Sequence, residues 1–549
     1  MIRVPWRSAA AASTGLILVA ATAACSGGHT AGAGGGSASG AGRAGAAAYT
    51  LSASTPAPKG PIDSFTWALY AEPTTLDYAQ AFDYPQNMIL SNICESLMRW
   101  NPDLTESPGL ASSVEQPDPT TYVYTLRSGV KFHDGGTMTA DDVVFSLKRQ
   151  MDPATGSTWI STFDNVDSVT KTGPSQVTVK LKKPDSQFGE AMANSAGTVV
   201  HASAVRAAGQ NYGTGGTLGC TGPYTLGTWV KGTSIELDKF PGYWGKPALA
   251  GKVVFRFITD PTALTNALLT GAADGGYLIT PDSYARLKSS GVGNLYFGKS
   301  LTTVNLNVCN LSGTLGDVRV RKALLLALDR SGFVKTGLKG VGTVTSSVAP
   351  ADAWPAGTVP PAADLPPTAQ DLAQAKALIQ QAGATGKTVT IATSPIGPDV
   401  WLLATAFQSA GTQIGLKVQL KTIAPDAFTA LFSDPKAREG LDAFPETYYL
   451  STTDPLAIYH IFRTGDFENY AGWSDPAYDK LVDQAEAEYD PVKRAAISAQ
   501  IQKIAVDQLP WIPAAEWPNS LFLDKRVTGA PTSIAYLYYP WAADVGSAG

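Results

Sequence analysis

Between Thr388 and Leu420 the chain reads as strand, helix, strand: Thr388-Val389-Thr390-Ile391, a helical segment over residues 401–414, and Leu416-Lys417-Val418-Gln419-Leu420. A connection through a helix joins neighbouring strands in parallel, as a βαβ unit. Parallel strands need helices over their faces, so this unit commits the chain to an α/β fold. The remaining pattern agrees. Phe65-Thr66-Trp67-Ala68-Leu69 is strand-like, and Tyr122-Val123-Tyr124-Thr125-Leu126 alternates toward one face before the turn residues Ser128-Gly129. Thr139 and Asp142 have capping-box spacing ahead of a helix whose Val143, Val144 and Leu147 share a face. Residues 224–230 and 234–237 flank Lys231-Gly232 as a hairpin. Asp317 heads an amphipathic helix with Val320, Ala323, Leu324, Ala327 and Leu328 on its apolar stripe. Asp475-Pro476 and Asp490-Pro491 read as N-caps followed by proline at the first helical position. No repeat of 20–50 residues is present, which excludes a solenoid.

The first residues carry an export signal: Arg3 and Arg7 are positive, residues 9–21 are apolar, and Thr22-Ala23-Ala24 is a small-residue stretch that ends at Cys25. Small residues running into a cysteine resemble a bacterial lipobox, although Thr22 stands where such signals usually carry Leu. The resemblance implies that residues 1–25 are a lipoprotein signal peptide and that Cys25 is lipidated; an ordinary cleaved signal is the plain alternative. Residues 26–60 are Gly, Ala, Ser, Thr and Pro with almost no large apolar side chain, too little to offset chain entropy. They are expected to be a flexible tether, with about 35 residues spanning roughly 30 Å. No later stretch reaches the about 18 consecutive apolar residues needed to cross a bilayer. The expected place is extracytoplasmic, lipid-anchored at the cell membrane. Three further cysteines remain: Cys94, Cys220 and Cys309. One disulfide is possible outside the cell, but nothing in the sequence chooses a pair, and buried free cysteines are the expectation because none has CxxC or metal-like spacing.

At 549 residues, with 44% hydrophobic and 16% charged, the chain has material for two or more cores. Net charge is −5 with no basic cluster, so no nucleic-acid partner is expected. Signs of catalysis are missing. There is no GxSxG elbow. Gly383 to Thr388 imitates the end of a P-loop, but Gln381 occupies the place of its first glycine, and a helix C-cap at Gly383 explains it. Gly213 to Gly219 fails as a dinucleotide fingerprint because Leu218 replaces the third glycine. His29, His133, His201 and His460 are scattered, so neither a metal site nor a cofactor is expected, and His133-Asp134 reads as a structural turn. A large α/β body with 9% aromatic residues on a tether favours capture over catalysis.

Specific residues then point to a family. TYVYTLRSGVKFHDGGTMTADDVVFSLKR, residues 121–149, resembles the signature of the extracellular solute-binding proteins of family 5, the peptide and nickel class. AEPTTLDY (71–78), NICESLMRW (92–100), TGPYTLGTWVKGTSIELDKFPGYWGKP (221–247), DVRVRKALLLALDR (317–330) and WSDPAYDKLVDQA (473–485) resemble further family segments, in family order. The resemblance implies a two-lobed, type II periplasmic-binding-protein fold. Residues 61–97, 200–305 and 520–549 would form the core of lobe 1, residues 98–199 an extra subdomain of that lobe, and residues 306–519 lobe 2. Strands near residues 301–308 and 509–523 would cross between the lobes as a hinge. It also implies a monomer that captures a small ligand, an oligopeptide, in the interlobe cleft. The ligand would be delivered to the permease subunits of an ABC transporter whose ATPase subunits lie on the cytoplasmic side.

Such a site needs aromatic walls, backbone groups that pair with a peptide's own, and one fixed charge. In oligopeptide binders of this family an Asp holds the ligand's α-amino group within a motif resembling Asp-Tyr-x-x-Pro. In the run from Tyr448 to Pro455 that place falls to Ser451. Either another acid, Glu446 or Asp454, holds the amine, or the ligand has no free amine there. The expected ligand-binding residues are Tyr448, Tyr449 and Ser451 on this loop, Trp517 on the C-terminal crossover, and Phe82 and Tyr84 in lobe 1. Core packing is the plain alternative for Tyr448, Trp517 and Phe82, and a turn for Asp454-Pro455. Trp229, Tyr243 and Trp244 read as scaffold. An oligosaccharide or a metal chelate is the alternative ligand, and a tethered enzyme the alternative of another class.

Overall fold

The computed structural model describes residues 49–360 and 362–549. The expected signal peptide, the Cys25 lipidation site, His29 and residues 26–48 of the expected tether lie outside the described residues.

Two sheets carry the architecture. A seven-stranded mixed sheet runs in the order Gly293–Gly298, Asn519–Asp524, Gly275–Tyr277, Ile62–Leu69, Ala250–Phe257, Ser234–Lys239 and Tyr224–Val230. A six-stranded sheet runs Thr343–Val344, Trp511–Glu516, Thr302–Val308, Ala443–Tyr449, Thr388–Thr393 and Lys417–Thr422. In the second, Thr388–Thr393 pairs in parallel with Lys417–Thr422 across the helix Pro398–Gln413, which is the βαβ unit expected from sequence. Ala111–Asp118, Thr121–Leu126, Gln176–Leu181 and Val166–Gly173 form a separate four-stranded antiparallel sheet. In its strand Thr121–Leu126, Tyr122, Tyr124 and Leu126 are buried and the intervening residues are not.

Local chemistry places the helices. Thr139 and Asp142 bond reciprocally at the start of Ala140–Met151, and Asp317, Asp475 and Asp490 each accept backbone N–H groups at a helix start. Gly383 follows the helix Leu372–Gln381 with φ +60°, a left-handed conformation in which a side chain would be strained. His133 and Asp134 do not act together: His133 Nε2 lies 3.0 Å from the Gly222 carbonyl, whereas Asp134 pairs with His201 at 2.5 Å.

Two expectations are corrected. The tether does not extend to residue 60, because residues 49–60 belong to the folded body. Ser52 N–H donates to Phe297 O at 3.0 Å, Thr55 N–H to Ala530 O at 3.0 Å and Lys59 N–H to Ser547 O at 2.8 Å. Backbone hydrogen bonds hold this arm, and composition carries no sign of them. The cysteines are not all free: Cys94, at the end of the helix Tyr84–Ile93, is bonded to Cys220, and only Cys309 among the described cysteines is a free thiol. The two partners lie 126 residues apart in sequence and become neighbours only when lobe 1 folds.

A crosslink across so long a loop restricts the unfolded chain strongly. Replacing Cys94 and Cys220 by alanine is expected to lower stability by about 2–5 kcal/mol. Denaturant unfolding with and without reductant checks this: reductant should destabilise the wild type and leave the double variant unchanged.

Candidate functional site

The strands Gly293–Gly298 and Thr302–Val308 follow each other in sequence but lie in different sheets, and so do Trp511–Glu516 and Asn519–Asp524. Both pairs are antiparallel neighbours, Gly293–Gly298 with Asn519–Asp524 and Thr302–Val308 with Trp511–Glu516. The chain therefore crosses between the sheets twice, side by side. At the crossing Trp517 N–H donates to Thr302 O at 3.4 Å, and the Ser300 hydroxyl donates to Trp517 O at 2.5 Å. Thr302–Val308 lies wholly in the second sheet.

Across this junction the lobes touch through tyrosines. The Tyr449 hydroxyl donates to the Phe82 carbonyl at 2.7 Å and lies 3.3 Å from the Tyr538 hydroxyl, and its ring centroid is 4.8 Å from that of Tyr84. Tyr84 is placed by Asp83, which caps its helix, and Tyr449 by the end of a central strand. Beside them, the Thr447 hydroxyl donates to Asp399 at 2.5 Å. Burial raises the carboxyls of both Asp83 and Asp399 above their usual range. Tyr70, Asp83, Tyr84, Asp399, Tyr449 and Tyr538 are all half-buried, as the walls of a narrow cleft between closed lobes would be.

A cavity of about 310 Å³ lies in the same junction. Asp103, Leu104 and Glu190 face it from lobe 1, Lys299 from the crossover, and Asp352, Trp354, Thr453, Asp454 and Arg494 from lobe 2. Its lining carries both signs of charge. Lys299 lies 3.3 Å from Asp352, and Arg494 bridges Asp454 at 2.5 Å and Glu190 at 3.0 Å. The Arg494 and Asp454 side chains are only 6% and 4% exposed, so this is a buried pair.

The expected residues divide. Phe82, Tyr84 and Tyr449 come together. Ser451 stands half-buried in the turn after Tyr449, on the loop that reaches the cavity through Thr453 and Asp454. Tyr448 points to the opposite face of its strand, where its ring meets Trp511 edge-on at 5.2 Å and its hydroxyl donates to Glu468 at 3.1 Å. Trp517 sits on the crossover, packed against the cores of both sheets. Asp454, one of the two acids expected to replace the missing carboxylate, is already committed to Arg494. Trp229, Tyr243 and Trp244 are scaffold: Trp229 donates to Glu72 at 2.8 Å, and Tyr243 and Trp244 to Glu95 at 2.8 and 2.7 Å. Tyr70, Lys299, Trp354, Asp399, Arg494 and Tyr538 were not anticipated, and isolated residues in unrelated segments leave no local pattern to find.

Two lobes on separate sheets, joined by paired crossing strands with an open charged cavity beside the junction, have the architecture of a solute-binding protein. A family model for the bacterial extracellular solute-binding proteins, family 5 Middle, matches residues 105–470, and the chain belongs to that family. Glutathione-binding protein GsiB of Shigella dysenteriae is 26% identical over 466 residues, covering 83% of this chain and 89% of that protein. Among solved structures, the ABC transporter-associated periplasmic binding protein DppA of Helicobacter pylori with the peptide STSA superposes with a TM-score of 0.79 at 20% identity, covering 89% of this chain and 99% of that one. AgaA of A. tumefaciens R10 with agropinic acid does so with a TM-score of 0.79 at 22% identity, covering 88% and 98%. As a member of that family the chain is a solute-binding protein and not an enzyme. Among the described residues no helix is long and apolar enough to cross a membrane.

Arg494→Met would leave two carboxylates without their cation, one of them deeply buried. It is expected to lower stability by about 3–5 kcal/mol, measured by denaturant unfolding. A loss below about 1 kcal/mol would show that water already solvates the pair.

Proposed function

We propose that the chain captures short peptides outside the cytoplasmic membrane, held there as a monomer by a lipid on Cys25, and hands them to a permease. The observation that carries this reading is the cavity lined by both Arg494 and Lys299 and by Asp103, Asp352 and Glu190. Opposite charges in one chamber suit a molecule that bears an ammonium and a carboxylate together, which a short peptide does, with Lys299 exchanging Asp352 for the ligand and Arg494 remaining on Asp454. At about 310 Å³ the chamber lies at the small end of ligand pockets, favouring a short peptide over a long one. Tyr449, Tyr84 and Phe82, with Ser451 on the adjoining loop, would line the approach, and Trp517 would set the crossover about which the lobes move. That relatives carry names such as glutathione-binding protein and complexes with a tetrapeptide supports the same class of solute.

Capture of this kind needs no covalent chemistry. A ligand stabilises the closed form only by the difference in its affinity for closed and open states, so contacts made to both lobes at once drive closure. Handing over then requires the partner to favour the open form.

Purified protein should be screened by thermal unfolding against pools of di- to tetrapeptides and of oligosaccharides. A bound peptide at 100 times its Kd is expected to add about 2.7 kcal/mol of stability and raise the midpoint. A shift with saccharides alone would transfer the assignment to a sugar importer, and turnover of any pool member, seen by mass spectrometry, would overturn a binding role.

A further inference from the structure

The chamber beside the junction has an apolar wall as well as charges, and each charged group already has a partner. Lys299 lies 3.3 Å from Asp352, and Arg494 bridges Asp454 and Glu190. Asp103 is bound within its own loop: one carboxylate oxygen accepts the Thr105 N–H at 3.1 Å and the Thr105 hydroxyl at 2.6 Å. These bonds, and to a smaller degree the charge of Lys299, hold the Asp103 carboxyl below its usual range. Beside these groups the lining consists of Thr453 and four apolar residues, Leu104, Trp354, Pro355 and Pro491.

Leu104 is placed in that wall against its own backbone preference. It stands at φ +70°, a left-handed conformation that suits glycine or asparagine and that other residues adopt only where their surroundings enforce it. The connection between the strands Met98–Trp100 and Glu106–Pro108 does so. Leu104 N–H donates to Asn101 O at 2.8 Å, Asn101 N–H to Thr105 O at 2.8 Å, Asn101 Nδ2 to Thr105 Oγ1 at 3.0 Å and the Ser107 hydroxyl to Asn101 Oδ1 at 3.1 Å. Leu104 packs on the core and turns its remaining surface to the chamber. Trp354 is as firmly held. Its ring meets Tyr459 edge-on at 6.4 Å, and it follows the short helix Ala351–Ala353, whose first N–H donates to Glu516 at 3.1 Å. Both residues are only 6% exposed, so the wall they form is rigid.

Asp103 precedes Leu104 directly, and Asp352 stands two residues before Trp354. The two acids near Lys299 therefore belong to the same two loops as the apolar wall. A carboxylate that takes Lys299 from Asp352 sets the side chain on its own α-carbon beside Leu104 and Trp354. We propose that the chamber selects short peptides whose C-terminal residue carries an uncharged aliphatic side chain, with Leu104 of lobe 1 and Trp354 of lobe 2 meeting on that side chain. The assignment rests on the reading of the chain as a peptide-capturing protein and names the class of peptide. Asp103, Asp352 and Glu190 line the same space and oppose an acidic side chain there. At about 310 Å³ the chamber matches a dipeptide better than a longer chain. Because the wall is drawn from both lobes, a side chain that touches both halves of it binds the closed form better than the open one and favours closure.

The test uses the whole exported protein and titration calorimetry with Ala-Leu, Ala-Ala, Ala-Asn and Ala-Glu. Asparagine has nearly the shape of leucine, so Ala-Asn separates polarity from size. The wild type is expected to bind Ala-Leu at least tenfold more tightly than Ala-Ala and Ala-Asn, and Ala-Glu most weakly. Leu104→Asn keeps a residue that tolerates the left-handed turn, and Trp354→Ala removes the facing ring. Each is expected to bring Ala-Leu within threefold of Ala-Ala, whereas Trp354→Phe, which keeps an apolar wall, retains at least half of the preference on a logarithmic scale. The readout is the ratio of the two affinities, which a general loss of stability would not move. Equal binding of all four dipeptides by the wild type, or a ratio that survives both Leu104→Asn and Trp354→Ala, overturns the selection and leaves peptide capture standing. Failure of all four to bind overturns the selection as well, and the peptide pools of the thermal screen then decide whether peptide capture falls with it.

Discussion

The constraint on which the rest depends is the paired crossing of two strands from one sheet to the other. Each sheet keeps its own hydrogen-bonded ladder, and among the described residues the backbone that passes between them is two short segments held to each other by Trp517, Thr302 and Ser300. Leu301 sits there with φ +51°, a left-handed conformation that costs a non-glycine residue roughly 1 kcal/mol or more and persists only where its surroundings enforce it. A junction of so few dihedrals can change angle while both sheets stay rigid, which is how hinges work. Because the crossing brings the end of Ala443–Tyr449 against the start of the helix Tyr84–Ile93, a cleft forms between residues 367 positions apart in sequence.

This explains what could be read before the fold was known. Everything governed by short spacing was legible: the Thr139 and Asp142 capping box, the Asp-Pro helix starts, the hairpin around Gly232 and the parallel unit from Thr388 to Thr422. Each depends on contacts within a few residues or one supersecondary unit. What depended on long-range pairing was not. The arm at residues 49–60 is held by its backbone, which composition does not report. The Cys94 to Cys220 bond joins two cysteines that only folding makes neighbours. Arg494 gave no sign that it would claim Asp454, since its partners lie 40 and 304 residues away.

The site was legible in part for the same reason. Alternation along a strand says that Tyr448 and Tyr449 face opposite ways, but not which of them faces the other lobe. Tyr449 meets Tyr84 and Phe82, whereas Tyr448 turns into lobe 2 toward Glu468. A motif comparison could show that Ser451 breaks an expected pattern. Only the packed structure shows that, of the two acids near it, Asp454 is neutralised and Glu446 is not.

Beside the apolar contacts at the junction, closure involves contacts that water can replace. Lys183 lies 3.0 Å from both Asp483 and Glu486, and the Tyr489 hydroxyl donates to Pro119 O at 2.6 Å. The Lys183 and Asp483 side chains are 45% and 47% exposed, and an ion pair that wet contributes only about 0–1 kcal/mol. Neutral hydrogen bonds traded for water change stability by a similar amount each. An interface sealed by apolar surface would hold the lobes shut at about 25 cal/mol for every Å² hidden, and a ligand could then add little to the balance. Polar contacts of this kind add little to the closed form, so the differential affinity of a small solute for the two forms carries more of the balance.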